Sequence, residues 1–203
     1  MAIVSDDALE LIRTRRVVRA MTNEPVPRDQ LEQILDAAAH APNAGNRRLQ
    51  RFIVVDRAST LRVLRMLSPG MLQHPAAVII ICSDVVKAAE YGFAPSSRGL
   101  YVDVGTAGQT MLLAAHALHL GSGPVTSFSK AAVGAALNLP RSLRPEMIIC
   151  LGHPHRNEPP PMTRRRRRSW QDVTYWGRFE ADQGQAGRAA RPADGSESFQ
   201  SSP

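Results

Sequence analysis

The longest helical pattern in the chain is LYVDVGTAGQTMLLAAHALHL, residues 100–120. Its apolar residues recur at helical spacing and cover most of the circumference: Val104, Ala107, Met111, Ala114, Ala115 and Leu118. A helix that is apolar nearly all round is buried inside a domain. We therefore predict a long buried central helix from Leu100 to Leu120, which Gly121 ends.

Short apolar runs lie on both sides of this helix. Ala76–Cys82 is apolar on both faces, which is typical of a central strand, and Phe52–Val55 and Met147–Leu151 are further strand candidates. The other predicted elements are helices at residues 5–15, 27 or 28 to 39, 59–66 and 129–137, and a loop at 88–98. Because the strands are few and separated by helices, we expect a mixed α/β or α+β domain.

Length and composition agree with one globular domain. The chain has 203 residues, of which 43% are hydrophobic. No apolar run reaches the roughly 18 residues of a membrane span, and the start, with Asp6 and Asp7, lacks a signal core. We expect a cytoplasmic protein with no membrane partner. Cys82 and Cys150 lie in apolar runs and are predicted to be buried free thiols.

The net charge is +7, and the excess is clustered in arginine-rich segments at residues 13–19, 47–51 and 164–168. Such clusters bind phosphate, nucleic acid or acidic ligands, and composition alone does not choose among these. Aromatic residues follow the last cluster only from Trp170 onward, which disfavours nucleic-acid binding. Gly, Ala, Ser, Gln and charged residues dominate the end of the chain, so we predict a folded domain at 1–179 and a disordered tail at 180–203.

Three motifs are candidates for ligand binding. The guanidinium groups of Arg13–Arg19 can enclose a phosphate, and the alternative is a solvated basic turn. The small residues of Ala41–Asn46 let the backbone approach a flat ligand, and the alternative is a loop that only ends a helix. Gly121–Ser127 lacks the spacing of a P-loop or a dinucleotide fingerprint, which argues against a Rossmann fold. His116 and His119 have no suitably spaced third ligand, so no metal site is expected.

Several motifs agree in order and spacing with those of one known family. They are Ile12–Arg19, Glu24–Pro27, Leu31–Ala38, Ala41–Asn46, Arg51–Val55, Asp103–Ala115, Leu120–Gly123, Leu143–Pro145 and Leu151–Pro154. From about residue 8 to 178 the chain resembles the nitroreductase family of FMN enzymes. The resemblance implies an α+β, nitroreductase-like fold: a mixed, mainly antiparallel sheet flanked by helices, with a long buried central helix.

The resemblance also implies which residues contact FMN. The element that grips the phosphate and ribityl chain falls on Arg15, Arg16, Val17 and Arg19. The loop that meets the flavin from the dimer partner falls on Pro42, Asn43, Ala44 and Asn46. The segment whose backbone faces the ring falls on Pro124, Val125, Thr126 and Ser127, with the Thr126 amide near flavin N5. The basic pair that closes on the phosphate falls on Arg165 and Arg167.

The sequence departs from the family pattern in three places. Val17 stands where the family usually has serine, so one phosphate or ribityl hydrogen bond is replaced or lost. Arg48-Leu49-Gln50 replaces the common Gln-Pro-Trp, which suggests an unusual or acidic substrate. The segment between Met66 and Tyr101 is short, and no flavin contact is assigned to it.

The implied activity is that of an FMN-dependent NAD(P)H oxidoreductase. Electrons would pass from NAD(P)H through bound FMN to a small organic acceptor, such as a nitroaromatic or a quinone, by ping-pong exchange. The cofactor carries this chemistry, so no catalytic side chain is expected. The partners would be a second copy of the chain and small molecules, without nucleic acid. The alternatives are a redox-inactive flavin carrier or sensor of the same fold and, less favoured, a basic nucleic-acid-binding protein.

Overall fold

A four-stranded antiparallel sheet forms the centre of the computed structural model, which describes residues 5–94, 96–155 and 169–177. The strands are β1 (Gln50–Val55), β2 (Ala77–Asp84), β3 (Gly121–Val125) and β4 (Leu143–Gly152), in the order β1-β2-β4-β3. The helices are α1 (Ser5–Thr14), α2 (Arg28–Ala39), α3 (Ala58–Met66), α4 (Val85–Glu90), α5 (Arg98–Ala117) and α6 (Lys130–Ala136). Every pairing among these strands is antiparallel.

Both faces of the sheet are buried, because the side chains of β2 and β4 alternate between two apolar clusters. Ile79, Ile81 and Ile149 pack with residues of α2 and α5 on one face. Ile80 and Ile148 pack with residues of α3 and α6 on the other. A strand that is covered on both sides reads as a continuous apolar run, which is the pattern predicted for the centre of the sheet. The α+β prediction is confirmed.

The central helix α5 has one buried side and one exposed side. Its buried residues are Leu100, Asp103, Val104, Ala107, Gly108, Met111, Leu112 and Ala115. Tyr101, Val102, Gly105 and Gln109 are exposed in the single chain, Val102 to 63%. The helix ends at Ala117, and His119, with φ of 59°, makes the turn that the sequence assigned to Gly121. Residues with positive φ commonly end helices in this way.

Two other expectations are corrected. The predicted loop at 88–98 begins with the last turn of α4, whose first turn is capped by Asp84: the Lys87 amide donates to Asp84 Oδ1 over 3.1 Å. The segment Gly121–Val125 was not predicted as a strand, because glycine and proline are poor strand formers. It pairs with β4 from Gly121 opposite Gly152 to Val125 opposite Ile148. Its strand conformation therefore depends on its neighbour in the sheet.

The chain divides into two compact units, residues 1–159 and 160–203. Of the second unit the structure describes residues 169–177, which include a 3-10 turn at Trp170–Val173. Arg165, Arg167 and the predicted tail lie outside the described residues. Among the helices that are described, none is both long and apolar enough to cross a bilayer.

Candidate functional site

The arginine-rich segment after α1 runs beside β3. The Val18 amide donates to the Ser122 carbonyl over 3.0 Å. A Cβ atom at Gly121 would lie 2.8 Å from Val18 Cγ1, so only glycine allows this approach. The structure therefore brings the first predicted motif against the third, and the sequence Gly121-Ser-Gly123 is what permits it.

Arg15, three residues before Val18, is half-buried. Its guanidinium Nη1 is fully shielded from solvent and has no hydrogen-bond partner among the described residues. The neighbouring Arg16 is exposed, and its Nη1 donates to the carbonyls of Arg13 and Arg15 over 2.6 and 2.7 Å. Arg19 is exposed as well. A buried cationic donor without an acceptor is costly, so the position of Arg15 suits a ligand that brings an anionic oxygen.

The end of β3 and the two residues after it are mostly exposed. Val125 is buried in the core, while Pro124, Thr126 and Ser127 are exposed. The Ser127 carbonyl accepts a hydrogen bond of 3.0 Å from the Gly70 amide, and this bond holds the segment before β2 against the end of β3. Residues 124–127 are thus held between β4 and the segment before β2.

The segment between α3 and β2 places a buried polar residue beside β3, which the sequence interpretation did not single out. Gln73 is only 3% exposed, and its side chain lies beside β3: a Cβ atom at Gly123 would clash with Gln73 Nε2. The same Cβ atom would lie 3.1 Å from Val17 Cγ1. Gln73 and Val17 therefore flank Gly123 together. A single glutamine between Leu72 and His74 shows no periodicity, so nothing in the sequence pointed to it.

The loop that carries the second motif, Ala41–Asn46, is anchored to α5 through Asp103 and Thr106. The Ala44 amide donates to Asp103 Oδ1 over 2.9 Å, and Thr106 Oγ1 donates to the Pro42 carbonyl over 2.8 Å. Asn43 Oδ1 accepts from the Arg48 amide over 3.0 Å. Asn46 is exposed and adopts a φ of 53°. Pro42, Asn43, Ala44 and Asn46 are thus held in one loop by α5.

Within one chain this loop lies far from the arginine segment. Thr14 Oγ1 is 3.0 Å from His116 Nε2, which places the end of α1 near the end of α5. Asp103 precedes His116 by thirteen residues in the same helix. At 1.5 Å per residue this separation is about 20 Å along the axis. The second motif is therefore not part of the junction that contains Arg15, Val17 and Gln73 in the same chain.

A small cavity of about 190 Å³ lies beside the loop, lined by Asn43, Arg48, Gln50, Phe52 and Ala107 among others. Arg48 and Gln50 belong to the segment that departs from the family pattern. Between them Leu49 is buried against Ala88 and Leu100. In this segment the central Leu49 is therefore buried, while Arg48 and Gln50 line the cavity.

Metal-ligating side chains do not cluster in the part of the chain that the structure describes. In the ranges that the structure describes, no three His, Cys, Asp or Glu side chains converge. Cys82 and Cys150 are buried free thiols, as predicted. Burial raises the pKa of each thiol to about 12, and the Glu146 carboxylate adds to the effect at Cys82.

Comparison with known proteins assigns the family. The model of the nitroreductase family matches residues 12–77 and 63–153. The chain belongs to the nitroreductase family. A relative from Methanothermobacter thermautotrophicus, provisionally named NADH dehydrogenase/NAD(P)H nitroreductase, is 32% identical over 158 residues, which are 74% of this chain and 79% of the relative.

Two further nitroreductase-family similarities bear on the cofactor and the fold. An FMN reductase [NAD(P)H] of Bacillus subtilis is 26% identical over 165 residues, covering 73% of this chain and 66% of that protein. The solved structure of an FMN-dependent nitroreductase from Clostridium difficile is 24% identical, with a TM-score of 0.64. The superposed region covers 74% of this chain and 89% of the Clostridium difficile chain. The second similarity establishes the fold.

Proposed function

We propose that the protein is an FMN-dependent oxidoreductase that passes electrons from NAD(P)H to a small organic acceptor by ping-pong exchange. The observation that carries the proposal is a pair of buried, unpartnered polar atoms, Arg15 Nη1 and Gln73 Oε1, in the segments that flank β3. Buried polar atoms in native proteins almost always have partners. A ligand with an anionic end and additional hydrogen-bonding groups would satisfy both, and FMN has this chemistry. The names of two relatives support the same cofactor.

The phosphate end would be held by arginine. Arg15 offers the shielded Nη1 donor, and Arg16 and Arg19 add positive charge from exposed positions beside it. The guanidinium groups neutralise a dianion and fix its orientation, because each presents several donors in a planar fork. Val17 contributes an apolar contact between the arginines.

The flat ring would lie on the backbone of Pro124, Val125, Thr126 and Ser127. The Thr126 N–H would donate toward flavin N5, where a donor stabilises the negative charge of the reduced ring. Bound FMN supplies the redox chemistry, accepting a hydride from NAD(P)H and giving electrons to a nitroaromatic, quinone or similar acceptor. The chain contributes binding, orientation and donors, and no side chain is required as a general acid.

We propose a homodimer, because one chain does not supply a complete site. The loop with Pro42, Asn43, Ala44 and Asn46 lies about 20 Å along α5 from the arginine segment, so it would reach the flavin of the partner subunit. Exposed apolar side chains on α1 and on the open side of α5 (Leu9, Ile12 and Val102) would be covered by a second copy. The cavity beside Arg48 and Gln50 would then adjoin the acceptor position.

The test combines cofactor binding with turnover. FMN is titrated into cofactor-free protein with flavin fluorescence as the readout, and oxidation of NADH and NADPH is followed with a benzoquinone and a nitroaromatic as acceptors. Without oxygen, we expect FMN to be retained and NAD(P)H to be oxidised beyond one equivalent per flavin only when an acceptor is present. Arg15→Leu should weaken FMN binding at least about tenfold, because it removes a charged hydrogen bond. Arg28→Leu, which removes an exposed arginine of α2, is the matched control.

A redox-inactive carrier or sensor is the second candidate, favoured by Val17 and by the altered segment at residues 48–50. It predicts tight FMN binding without oxidation of either nicotinamide cofactor. The same titration and assay separate the two functions. Loss of FMN binding altogether would contradict both.

A further inference from the structure

The cavity of about 190 Å³ beside the loop Ala41–Asn46 combines apolar walls with a basic edge. Phe52 and Ala107 are among its apolar residues, and Arg48 and Arg51 are its charged ones. No carboxylate lines the cavity in the part of the chain that the structure describes. Because a cavity of about 150 Å³ holds a benzene molecule, this one has room for a single ring with a small substituent.

Arg51 is already engaged within the fold. Its Nη2 donates to Asp84 Oδ2 over 3.2 Å, so that carboxylate compensates its charge. Its Nη1 donates to the Arg48 carbonyl over 2.9 Å and to the Gln50 carbonyl over 2.8 Å. Arg51 therefore supports the wall of the cavity, and its donors are used within the chain.

The guanidinium of Arg48 is not engaged in this way. The side chain is exposed, and none of the described residues forms a hydrogen bond or an ion pair with its guanidinium. The preceding Arg47 stacks over the Tyr91 ring, 4.3 Å from its centroid, and does not line the cavity. Among the described residues that line the cavity, Arg48 is thus the cation without an ionic partner.

The backbone of Arg48 is held in a conformation that arginine rarely adopts. Its φ is 51°, in the left-handed region that favours glycine and asparagine. Two side chains hold it there: Asn43 Oδ1 accepts from the Arg48 amide over 3.0 Å, and Arg51 Nη1 donates to the Arg48 carbonyl. Backbone strain of this kind clusters at ligand-binding sites, so the outlier indicates a task for this side chain.

We propose that Arg48 binds the anionic group of the acceptor, and that the acceptor is a single-ring nitroaromatic or quinone that carries a carboxylate. The inference rests on the proposed function, which places the cavity beside the acceptor position. A planar guanidinium matches a carboxylate through two parallel hydrogen bonds. The apolar walls cover the ring, and the Gln50 carboxamide lies at the same cavity for a neutral polar substituent.

The size of the cavity distinguishes the acceptor from the nicotinamide donor as the source of this anion. Drug-sized ligands occupy clefts of about 300 Å³ or more, so the phosphorylated adenosine of NADPH is too large for this cavity. A carboxylate on a single ring fits it. Arg48 is therefore expected to determine which acceptor is used and not which nicotinamide cofactor is used.

The first experiment measures binding without turnover. Benzoate and its neutral counterpart benzamide are titrated calorimetrically into the protein with and without FMN, for the wild type and for Arg48→Asn. Asparagine tolerates the positive φ and removes the charge, so the variant should melt at the same temperature as the wild type or higher. Benzoate should bind at least about tenfold more weakly to the variant, because a charged hydrogen bond is lost. Benzamide should bind equally to both proteins.

The second experiment measures the choice of acceptor. Oxidation of NAD(P)H without oxygen is followed with 4-nitrobenzoate or 4-nitrobenzamide, and the kcat/KM values of the two acceptors are compared. The wild type should prefer 4-nitrobenzoate, and Arg48→Asn should lose at least about tenfold of that preference. Arg48→Lys should keep part of the preference, because it keeps the charge without the planar fork. Added salt should weaken the preference of the wild type.

Arg47→Gln is the matched control for both experiments. Arg47 is the neighbouring exposed arginine with the same charge, but it lies over Tyr91 and not at the cavity. Its replacement should leave the benzoate affinity and the acceptor preference unchanged. A loss at position 48 alone therefore reports on a local contact and not on the positive charge of residues 47–51 as a whole.

Three results would overturn the inference. Equal benzoate affinity of the wild type and Arg48→Asn, with FMN turnover intact, would show that Arg48 binds no anion, while the proposed function would stand. Equal losses in Arg47→Gln and Arg48→Asn would show a diffuse effect of charge. A changed preference between NADPH and NADH with an unchanged acceptor preference would assign Arg48 to the donor.

Failure of the proposed function gives a different result. Benzoate binding that depends on Arg48, in a protein that retains no FMN, would refute the oxidoreductase and with it the acceptor role. The anion-binding site at the cavity would remain.

Discussion

Asp103 and His116 belong to the same helix, α5, and contact opposite parts of the candidate site. Asp103 Oδ1 accepts from the Ala44 amide, 2.9 Å away, and His116 Nε2 is 3.0 Å from Thr14 Oγ1 at the end of α1. The helix between them separates the two contacts by about 20 Å. A ligand that needs both the arginine segment and the loop must draw them from two subunits.

The first prediction is subunit complementation. Arg15→Ala and Asn43→Ala should each weaken FMN binding about tenfold, since each removes one side of every site. In a heterodimer of the two variants, purified through different tags, one site carries both changes and the other carries neither. It should bind FMN tightly at one site, about half of the wild-type capacity.

Each variant homodimer, passed through the same procedure, is the control for this complementation. A site formed within one chain gives no tight binding in the heterodimer. That outcome, with intact dimers, would refute the shared site.

The second prediction concerns Gly123. In Gly123→Ala the new Cβ atom clashes with Gln73 Nε2 and approaches Val17 Cγ1 to 3.1 Å, so we expect FMN affinity to fall about tenfold. In the background of Gln73→Ala the same change should cost less, because the clashing group is gone. Calorimetric titration of FMN into the wild type, the two single variants and the double variant gives the coupling free energy between positions 73 and 123.

Gly134→Ala is the control for the glycine substitution. Nothing lies within 4 Å of a Cβ atom at Gly134 in α6, so alanine should stabilise the helix by about 0.5–1 kcal/mol and leave FMN affinity unchanged. If Gly123→Ala behaves in the same way, the packing of Gln73 against β3 is not required for binding.

The third prediction concerns a buried carboxylate outside the candidate site. Glu146 forms ion pairs with Lys130 and Arg144, and both cations lie over the Tyr101 ring, at 5.2 and 5.8 Å from its centroid. Glu146→Gln leaves the two cations facing each other, so the free energy of unfolding should fall by about 2–3 kcal/mol. Urea unfolding of the wild type and of Glu146→Gln measures this change in the free energy of unfolding.

An exposed ion pair provides the comparison for Glu146. Glu32 pairs with Arg28 on the surface of α2, and Glu32→Gln should change the free energy of unfolding by less than about 0.5 kcal/mol. Equal effects of the two substitutions would contradict the structural role of Glu146.

The fourth prediction is a loss of stability at high pH. Burial raises the pKa of Cys82 and Cys150 from 9.0 to about 12 in the folded protein. Between these values the unfolded chain releases thiol protons that the folded chain keeps, so stability is lost as the pH rises through this window. The urea midpoint should therefore fall from pH 8 to pH 10, and less so in the Cys82→Ala, Cys150→Ala double variant. An equal fall of the urea midpoint with pH in the wild type and in the double variant would contradict this role of the two thiols.

The sequence predicted those helices and strands whose apolar pattern lies within a single segment of the chain. The continuous apolar run that became β2 and the spacing that became α5 are properties of the segments themselves. The family motifs added three segments as candidate binding loops. The structure then showed that two of them meet through Val18 and Ser122, while the third is held elsewhere by Asp103.

What the sequence did not predict depends on neighbours. Gly121–Val125 has little intrinsic strand preference, and it becomes a strand by pairing with β4. Gln73 becomes buried only because Gly123, fifty residues later, leaves room for it. The positive φ after α5 falls at His119, while Gly121 lies where Val18 approaches β3. Each of these features follows from tertiary packing, which no single segment encodes.

The most direct test of the central claim is the visible absorption spectrum of the FMN-loaded protein before and after NADH or NADPH is added without oxygen. We expect a flavin spectrum that stays with the protein through gel filtration, is bleached by at least one nicotinamide cofactor, and returns when a quinone is added. Retained flavin that neither cofactor bleaches would contradict the oxidoreductase and favour the carrier or sensor. Flavin that elutes separately from the protein would contradict the proposed binding by Arg15 and Gln73.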